Sequence, residues 1–226
     1  MIPLTIVELY TSQGCSSCPP ADDFLGDLAK RSDVLALSFH VDYWNYIGWN
    51  DPFASAVYTQ RQRTYARQLS LRYVYTPQMV IQGTFETTGS KRGKINNFIE
   101  DAKALPRVPI SLSVSENLTL SAGQNSSLNI SISASGESFG KSSFGVWAVV
   151  YDKYHSTEVK RGENGGRTIE NFNVVRDVRQ IGQWHGQAED YTASLPEMTQ
   201  LGGDACAVFI QSETTGQIIG VANLDL

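Results

Sequence analysis

The sequence has few of the residues that cross-link a fold or attract highly charged partners. Three cysteines in 226 residues cannot form a disulfide framework, and a chain of this length can bury a core without one. The sequence contains no run of about 18 apolar residues, so no membrane span is predicted. The net charge is −5 with no cluster of basic residues, which argues against a nucleic-acid partner. No glycine-rich dinucleotide or phosphate motif points to a nucleotide cofactor.

The first hundred residues alternate between strand-like and helix-like patterns. Short apolar runs bounded by turn formers predict strands, and apolar residues at a spacing of three and four predict helices. Such alternation is typical of an α/β domain with a central mixed sheet flanked by helices, here residues 1–105. The predicted order is strand 4–10, helix 22–30, strand 34–41, helix 51–71, strand 76–83, a returning strand, and helix 94–104.

The composition changes at the segment LPRVP, which ends at Pro109. Short strand-like runs separated by turn signals follow, and they predict an antiparallel β-sandwich-like module over residues 106–226. Within it, the segment KRGENGGRTIENFNVVR is best interpreted as a hairpin. The alternative is a loop that folds back onto the first domain and brings Arg167 or Arg176 near its site.

Cys15 and Cys18 fall between the first predicted strand and the first predicted helix. The positive end of a helix dipole favours a thiolate, which lowers the pKa of a cysteine and raises its reactivity. Two sulfurs at this spacing can bond to each other. Cys15 would act as the nucleophile that forms a mixed disulfide with a substrate, and Cys18 would resolve that mixed disulfide. A chance buried pair and half of a zinc site are the alternatives. Zinc generally needs four ligands, and only Cys206 and three histidines remain, so no metal site is predicted.

An aromatic segment, FHVDYWNYIGWNDPF, follows the second predicted strand. Loops at the carboxyl ends of strands in an open α/β sheet gather around one site, so this segment is expected beside the cysteines. Tyr43 and Trp44 could then wall a substrate groove, while His40 or Asp42 could carry protons. The alternative is a purely structural aromatic core. The arginines of the predicted long helix, Arg61 among them, are expected to form a solvated face.

The stretch VELYTSQGCSSCP resembles the active-site strand, loop and helix of thioredoxins and glutaredoxins. The resemblance extends to Tyr75-Thr76-Pro77, which matches the cis-proline segment of that superfamily. It implies a thioredoxin-like fold in which Thr76 and Pro77 shape the substrate groove and Glu8 takes the place of a buried acid. The dipeptide between the cysteines, Ser-Ser, differs from that of either family. The direction of electron transfer is therefore not assigned.

Longer segments resemble a bacterial, usually exported family called domain of unknown function family 1223. They are ELYTSQGCSSCPPAD, HVDYWNYIGWNDPFA and RGENGGRTIENFNVVR. This resemblance covers nearly the whole chain and implies a thioredoxin-like domain with a β-rich C-terminal part. It also implies a periplasmic or secreted protein whose signal is absent from this numbering, with a cytoplasmic location left open.

The leading hypothesis is a thiol–disulfide oxidoreductase that acts on protein or small-molecule thiols and disulfides. Its redox centre would be the Cys15–Cys18 pair, with no other cofactor. One alternative is a binding protein that holds a soft ion such as Cu(I) with Cys15, Cys18 and His40. Another is a redox-inert interaction protein on the same fold.

Overall fold

A computed structural model of the protein describes residues 4–117, 125–135 and 143–226. A 3₁₀ turn, Asn45–Ile47, follows the second strand. The helices and longer strands in chain order are β1 (Thr5–Thr11), α1 (Pro19–Ala29), β2 (Val34–His40), α2 (Ala56–Gln68), β3 (Gln78–Ile81), β4 (Phe85–Thr88), α3 (Arg92–Ala102), β5 (Ile110–Asn117), β6 (Asn125–Ile132), β7 (Phe144–Val159), β8 (Arg167–Trp184), β9 (Glu189–Ser194), α4 (Leu195–Met198), β10 (Ala205–Ser212) and β11 (Ile218–Asp225).

The chain forms two compact units. Unit 1 consists of Met1–Leu105 and Asp152–Val175, and unit 2 of Pro106–Tyr151 and Arg176–Leu226. The chain passes from one unit to the other within the long strands β7 and β8. The sequence placed all of residues 106–226 in one domain. The structure instead assigns the end of β7, its turn and the start of β8 to unit 1.

The sheet of unit 1 has the strand order β8, β2, β1, β3, β4. Strands β1 and β2 are parallel and in register from Thr5 opposite Val34 to Thr11 opposite His40. Their carboxyl ends therefore lie side by side, and the loops that follow them meet. Strand β3 runs antiparallel to β1, and β4 antiparallel to β3.

Helices cover both faces of this sheet. Helices α1 and α3 bury Leu25 and Ile95 against Val7 and Leu9, and this apolar core matches the period-two pattern of β1. The opposite face packs aromatic rings: Tyr10 stacks on Phe39 and meets Tyr65 of α2 edge-on, with ring centroids 5.5 and 6.2 Å away. The predicted element order of this region is confirmed.

The predicted start of the long helix at Asp51 is wrong. Helix α2 begins at Ala56, where the Ser55 hydroxyl caps it by accepting a hydrogen bond from the Val57 N–H at 3.2 Å. The Asp51 carboxylate is bound elsewhere: it receives hydrogen bonds from other loop residues, described below. Asp51-Pro52 therefore belongs to the loop after β2.

In unit 2 the sheet of β5, β6 and β9 faces strands β7, β10 and β11. Side chains from both sets of strands share one buried core, which includes Leu128, Val146 and Val208. Adjacent strands within each set are antiparallel. The isolated Cys206 lies in this core, and burial raises the pKa of its thiol to about 11, which makes it a poor nucleophile.

Candidate functional site

Cys15 and Cys18 are joined by a disulfide in the loop between β1 and α1, with their Cα atoms 5.4 Å apart. The loop is a tight succession of turns, because the Cys15 N–H donates to the Ser12 carbonyl and the Cys18 N–H to the Cys15 carbonyl. Cys18 is the N-terminal cap residue of α1. Both cysteines are buried, with exposed fractions of 1% and 0%.

The first turn of α1 offers little direct hydrogen bonding to a sulfur. Pro19 and Pro20 have no N–H, and the N–H groups of Ala21 and Asp22 both donate to the Cys18 carbonyl. Stabilisation of a thiolate by free helix N–H groups is therefore not available from these residues. The helix dipole remains, together with the Ser17 hydroxyl, whose oxygen lies 3.4 Å from the Cys15 sulfur.

The turn between β7 and β8, residues 160–166, is attached to the cysteine loop. Asn164 is fully buried, and its Nδ2 donates to the carbonyl oxygens of Gln13 and Cys15 at 2.9 and 3.0 Å. The Ser16 N–H donates to the Glu163 carboxylate at 3.1 Å. The predicted hairpin is confirmed. Its turn also folds back onto the site, as the alternative interpretation held, with Arg167 bonded to Asn164 at 3.1 Å.

The aromatic segment and the proline segment meet beside this loop. The Trp44 indole N–H donates to the Thr76 hydroxyl at 2.7 Å. A Cβ atom added at Gly14 would lie 3.3 Å from the Trp44 Cβ, so Trp44 closely adjoins the cysteine loop. The Thr76–Pro77 peptide bond is cis, as the resemblance implied. The structure thus brings Trp44 and Thr76 together.

Tyr43 and Asp42 point to partners on α2. The Tyr43 hydroxyl donates to Gln62 at 3.1 Å, and burial raises the pKa of Tyr43 to about 12. The Asp42 carboxylate accepts a 2.6 Å hydrogen bond from the Thr59 hydroxyl. These contacts give Asp42 a role in joining its loop to α2.

His40, at the end of β2, forms a buried pair with Asp51. His40 Nδ1 lies 2.7 Å from Asp51 Oδ2, and both side chains are fully buried. The same Asp51 oxygen accepts the Gln13 N–H at 2.8 Å, two residues before Cys15. Burial acts to raise the pKa of Asp51, but His40 and the N–H groups of Gln13 and Phe53 hold it below its usual value. The pair thus fixes the loop that carries the cysteines.

Asp22 is a second buried acid that sequence reasoning missed. It lies one helical turn after Cys18, is 2% exposed, and its Oδ1 has no hydrogen-bond partner among the described residues. Burial raises the pKa of Asp22 to about 7, and the nearby His40 and Thr11 side chains offset only part of that effect. The spacing of four from Cys18, which places both side chains on one helix face, was the available signal.

Glu8 lies under α2 and its carboxylate is fully occupied. It accepts hydrogen bonds of 2.8 Å from Arg61 Nε and Nη2, and of 2.8 and 2.7 Å from the hydroxyls of Tyr10 and Tyr65. The expectation that Arg61 belongs to a solvated face is wrong, because its side chain is 9% exposed. Burial without a partner would be too costly for a guanidinium, and Glu8 supplies the partner.

Three further observations concern the surface beside the site, possible metal ligands and membrane spans. A groove of about 500 Å³ adjoins the start of α1, between Pro19, Asp23 and residues 167–170 at the start of β8. Across residues 4–117, 125–135 and 143–226, no three or more His, Cys, Asp or Glu side chains cluster closely enough to hold a metal ion. In those same ranges no helix is long and apolar enough to span a membrane.

Residues 6–211 match the family described as "Protein of unknown function (DUF1223)". The chain belongs to this family. The chain is similar over 99% of its length, at 30% identity and a TM-score of 0.82, to an Agrobacterium tumefaciens protein, 95% of which is covered. That protein was a target of the Northeast Structural Genomics Consortium, and its structure was solved by X-ray crystallography. No curated protein matches the sequence.

A second solved structure is similar in fold alone. HBP35 of Porphyromonas gingivalis is 12% identical, with a TM-score of 0.66, over 100% of this chain and 76% of that chain. The DUF1223 family carries no assigned activity, so the chemistry must be argued from the site itself.

Proposed function

We propose that this DUF1223 protein is a thiol–disulfide oxidoreductase whose unit 1 is thioredoxin-like. The observation that carries the proposal is the Cys15–Cys18 disulfide, closed at the first turn of α1 and beyond the carboxyl end of β1. Ligand sites of open α/β sheets lie at that end of the strands. A structural cross-link is a weaker explanation, because a loop of this length removes little entropy from the unfolded chain.

The reaction of the reduced pair proceeds in two exchanges. The Cys15 thiolate attacks one sulfur of a substrate disulfide; a mixed disulfide forms, and the other substrate sulfur leaves as a thiolate that takes a proton. The Cys18 thiolate then attacks the Cys15 sulfur, the intramolecular disulfide forms, and the second substrate thiolate leaves. Two electrons pass to the substrate. The reverse sequence oxidises a pair of substrate thiols.

Asp22 is proposed as the acceptor of the Cys18 proton. The Cys18 thiol must ionise before it can attack, and Asp22 lies one turn further along α1 with a pKa of about 7. A carboxyl group with that pKa can accept and return a proton at neutral pH. Glu8 is less suited to this role, because Arg61, Tyr10 and Tyr65 occupy its oxygens.

Trp44 and Thr76 are proposed to form one wall of the substrate groove. Their 2.7 Å hydrogen bond joins the aromatic loop to the segment that precedes β3, and Trp44 also adjoins Gly14. A thiol or disulfide substrate, either a protein or a small molecule, would contact this wall when it reaches Cys15. Export to an oxidising compartment, where the resting pair would be a disulfide, belongs to the same proposal.

The test is a redox titration of the metal-free protein in glutathione buffers, read by thiol trapping and mass spectrometry. A reversible two-electron transition of Cys15 and Cys18 is expected, with Cys15 in the reduced protein alkylating below the free-cysteine pKa of about 8.5. Cys206→Ser is the matched control and should titrate identically. A pair that never equilibrates with glutathione, or a Cys15 pKa at or above 8.5, would contradict the proposal.

A further inference from the structure

The turn of the β7–β8 hairpin, residues 160–166, holds the cysteine loop through a buried amide. Asn164 uses both of its polar groups: Nδ2 donates to the carbonyls of Gln13 and Cys15, and Oδ1 accepts from Arg167 Nη1. The side chain is fully buried although its neighbours in the turn are exposed. One residue of the turn is therefore built into the site.

Glu163 makes a second attachment on the other side of Cys15. Its carboxylate accepts the Ser16 N–H at 3.1 Å, and hydrogen bonds from the Ser16 hydroxyl and N–H lower the pKa of Glu163. The backbone groups on both sides of the Cys15 side chain are thus bound by the hairpin turn. They are consequently not free to pair with an extended substrate.

The loop after β2 encloses the same region. Gly162 has φ +77°, and a Cβ atom there would lie 3.2 Å from the Trp49 Cβ. A Cβ atom at Gly14 would lie 3.2 Å from the Ile47 Cδ1. The hairpin turn, the cysteine loop and the aromatic loop are therefore packed together, and the Cys15 residue keeps an exposed fraction of only 1%.

Thiol–disulfide exchange requires the incoming thiolate to reach a sulfur directly. We propose that the hairpin turn is a cover over the Cys15–Cys18 pair, that the hydrogen bonds of Asn164 hold it in place, and that it determines which thiols react with the pair. With the cover in place, small thiols reach the sulfurs. A folded protein thiol reacts only after the turn has left the cysteine loop. This inference rests on the proposed function and names Asn164 as a residue that determines specificity.

The step that the cover controls is a balanced exchange. A reductant thiolate attacks one sulfur of the pair, the intramolecular S–S bond breaks, and a mixed disulfide forms while the other cysteine leaves as a thiolate and takes a proton. A second thiol of the reductant then releases the mixed disulfide. The reductant is oxidised by two electrons and the protein pair is reduced by two.

The test compares the rates at which dithiothreitol and reduced thioredoxin, a folded protein dithiol, reduce the pair in the whole chain. In Asn164→Ala, which removes two hydrogen bonds to the cysteine loop, we expect the rate with thioredoxin to rise about tenfold. The rate with dithiothreitol should rise less than about threefold, since a small reagent needs less opening. Asn97→Ala, at an exposed position of α3, is the matched control and should leave both rates unchanged.

Glu163→Ala provides a second variant at an exposed position, and it should change the ratio of the two rates in the same direction by about threefold. An equal rise of both rates in Asn164→Ala would indicate general loosening and overturn the inference. Unchanged rates in both variants would overturn it as well. Failure of the proposed function is distinguishable, because the pair would then not equilibrate with glutathione whatever the ratio of the rates.

Discussion

Among the acidic side chains buried in unit 1, Glu8 and Asp22 lie on opposite sides of its sheet. Glu8, under α2, is met by the Arg61 guanidinium and two tyrosine hydroxyls. Asp22, on α1, has no cationic partner within salt-bridge distance among the described residues, and its pKa rises to about 7. The charge of the buried Glu8 carboxylate is therefore compensated by a cation, whereas the buried Asp22 carboxyl has no such partner in the described part of the chain and is partly protonated near pH 7.

The difference indicates what each acid does. A buried carboxylate with its charge matched and every oxygen bonded holds structure together but has little room to exchange a proton. A buried carboxyl with a pKa near 7 reduces stability when it ionises, and it can take up or give a proton at the pH of the cell. We assign the first role to Glu8 and propose the second for Asp22.

The largest effect should follow from breaking the compensated pair. Glu8→Ala leaves the Arg61 guanidinium buried without its carboxylate, so the free energy of unfolding should fall by about 3–5 kcal/mol. Urea unfolding followed by circular dichroism measures it. Glu100→Ala, in an exposed pair with Lys103, is the control and should change the free energy of unfolding far less. A loss below 1 kcal/mol for Glu8→Ala would contradict the structural role.

Asp22 should give stability the opposite dependence on pH from an ordinary ion-paired acid. Its pKa is raised in the folded state, so the native protein binds the extra proton between about pH 4 and 7, and stability falls as the pH rises through that window. The difference between wild type and Asp22→Asn should change by up to ~4 kcal/mol from pH 4 to pH 8, with the variant gaining. The measurement is urea unfolding at each pH.

The groups around Asp22 that contribute to this profile are Thr11, His40, Asp51 and Asp23. A constant difference between wild type and Asp22→Asn across the same pH range would show that Asp22 titrates near its ordinary value. The contrast with Glu8 would then be lost.

Removal of the Asp22 carboxyl should also slow the closing of the disulfide. In Asp22→Asn the Cys18 thiol loses its proposed proton acceptor, so conversion of the mixed disulfide to the intramolecular one should slow roughly 100-fold near pH 7. The difference in rate between wild type and Asp22→Asn should become smaller towards pH 9, where thiols ionise without a nearby base. Rapid acid quenching and mass spectrometry give the rate. A difference in rate that does not depend on pH would indicate a merely structural effect of the substitution.

The smallest expected effect concerns the hydroxyl beside Cys15. Ser17→Ala removes the oxygen 3.4 Å from the Cys15 sulfur, so the pKa of Cys15 in the reduced protein should rise by about one unit. The pH dependence of alkylation measures this pKa. Ser16→Ala, whose hydroxyl bonds Glu163 instead, should leave it nearly unchanged. Equal shifts in both variants would contradict the assignment of Ser17.

Local patterns predicted most of unit 1, because its strands and helices follow their own periodicity. The cysteine pair, Trp44 and Thr76 were also available from short segments. Contacts between distant residues were not: Glu8 meets Arg61 across the gap from β1 to α2, and Cys15 meets Asn164 from the β7–β8 turn. An arginine on a polar helix gives no local sign of burial, so Arg61 was misassigned.

The most direct test of the account is to trap the mixed disulfide. Reduced Cys18→Ser protein is mixed with oxidised glutathione, and the adduct is located by peptide mass spectrometry beside Cys15→Ser as the matched variant. The account predicts a stable glutathione adduct on Cys15 in Cys18→Ser, and much slower labelling of Cys18 in Cys15→Ser. Equal labelling of the two variants, or none in either, would contradict the assignment of Cys15 as nucleophile and Cys18 as the resolving cysteine.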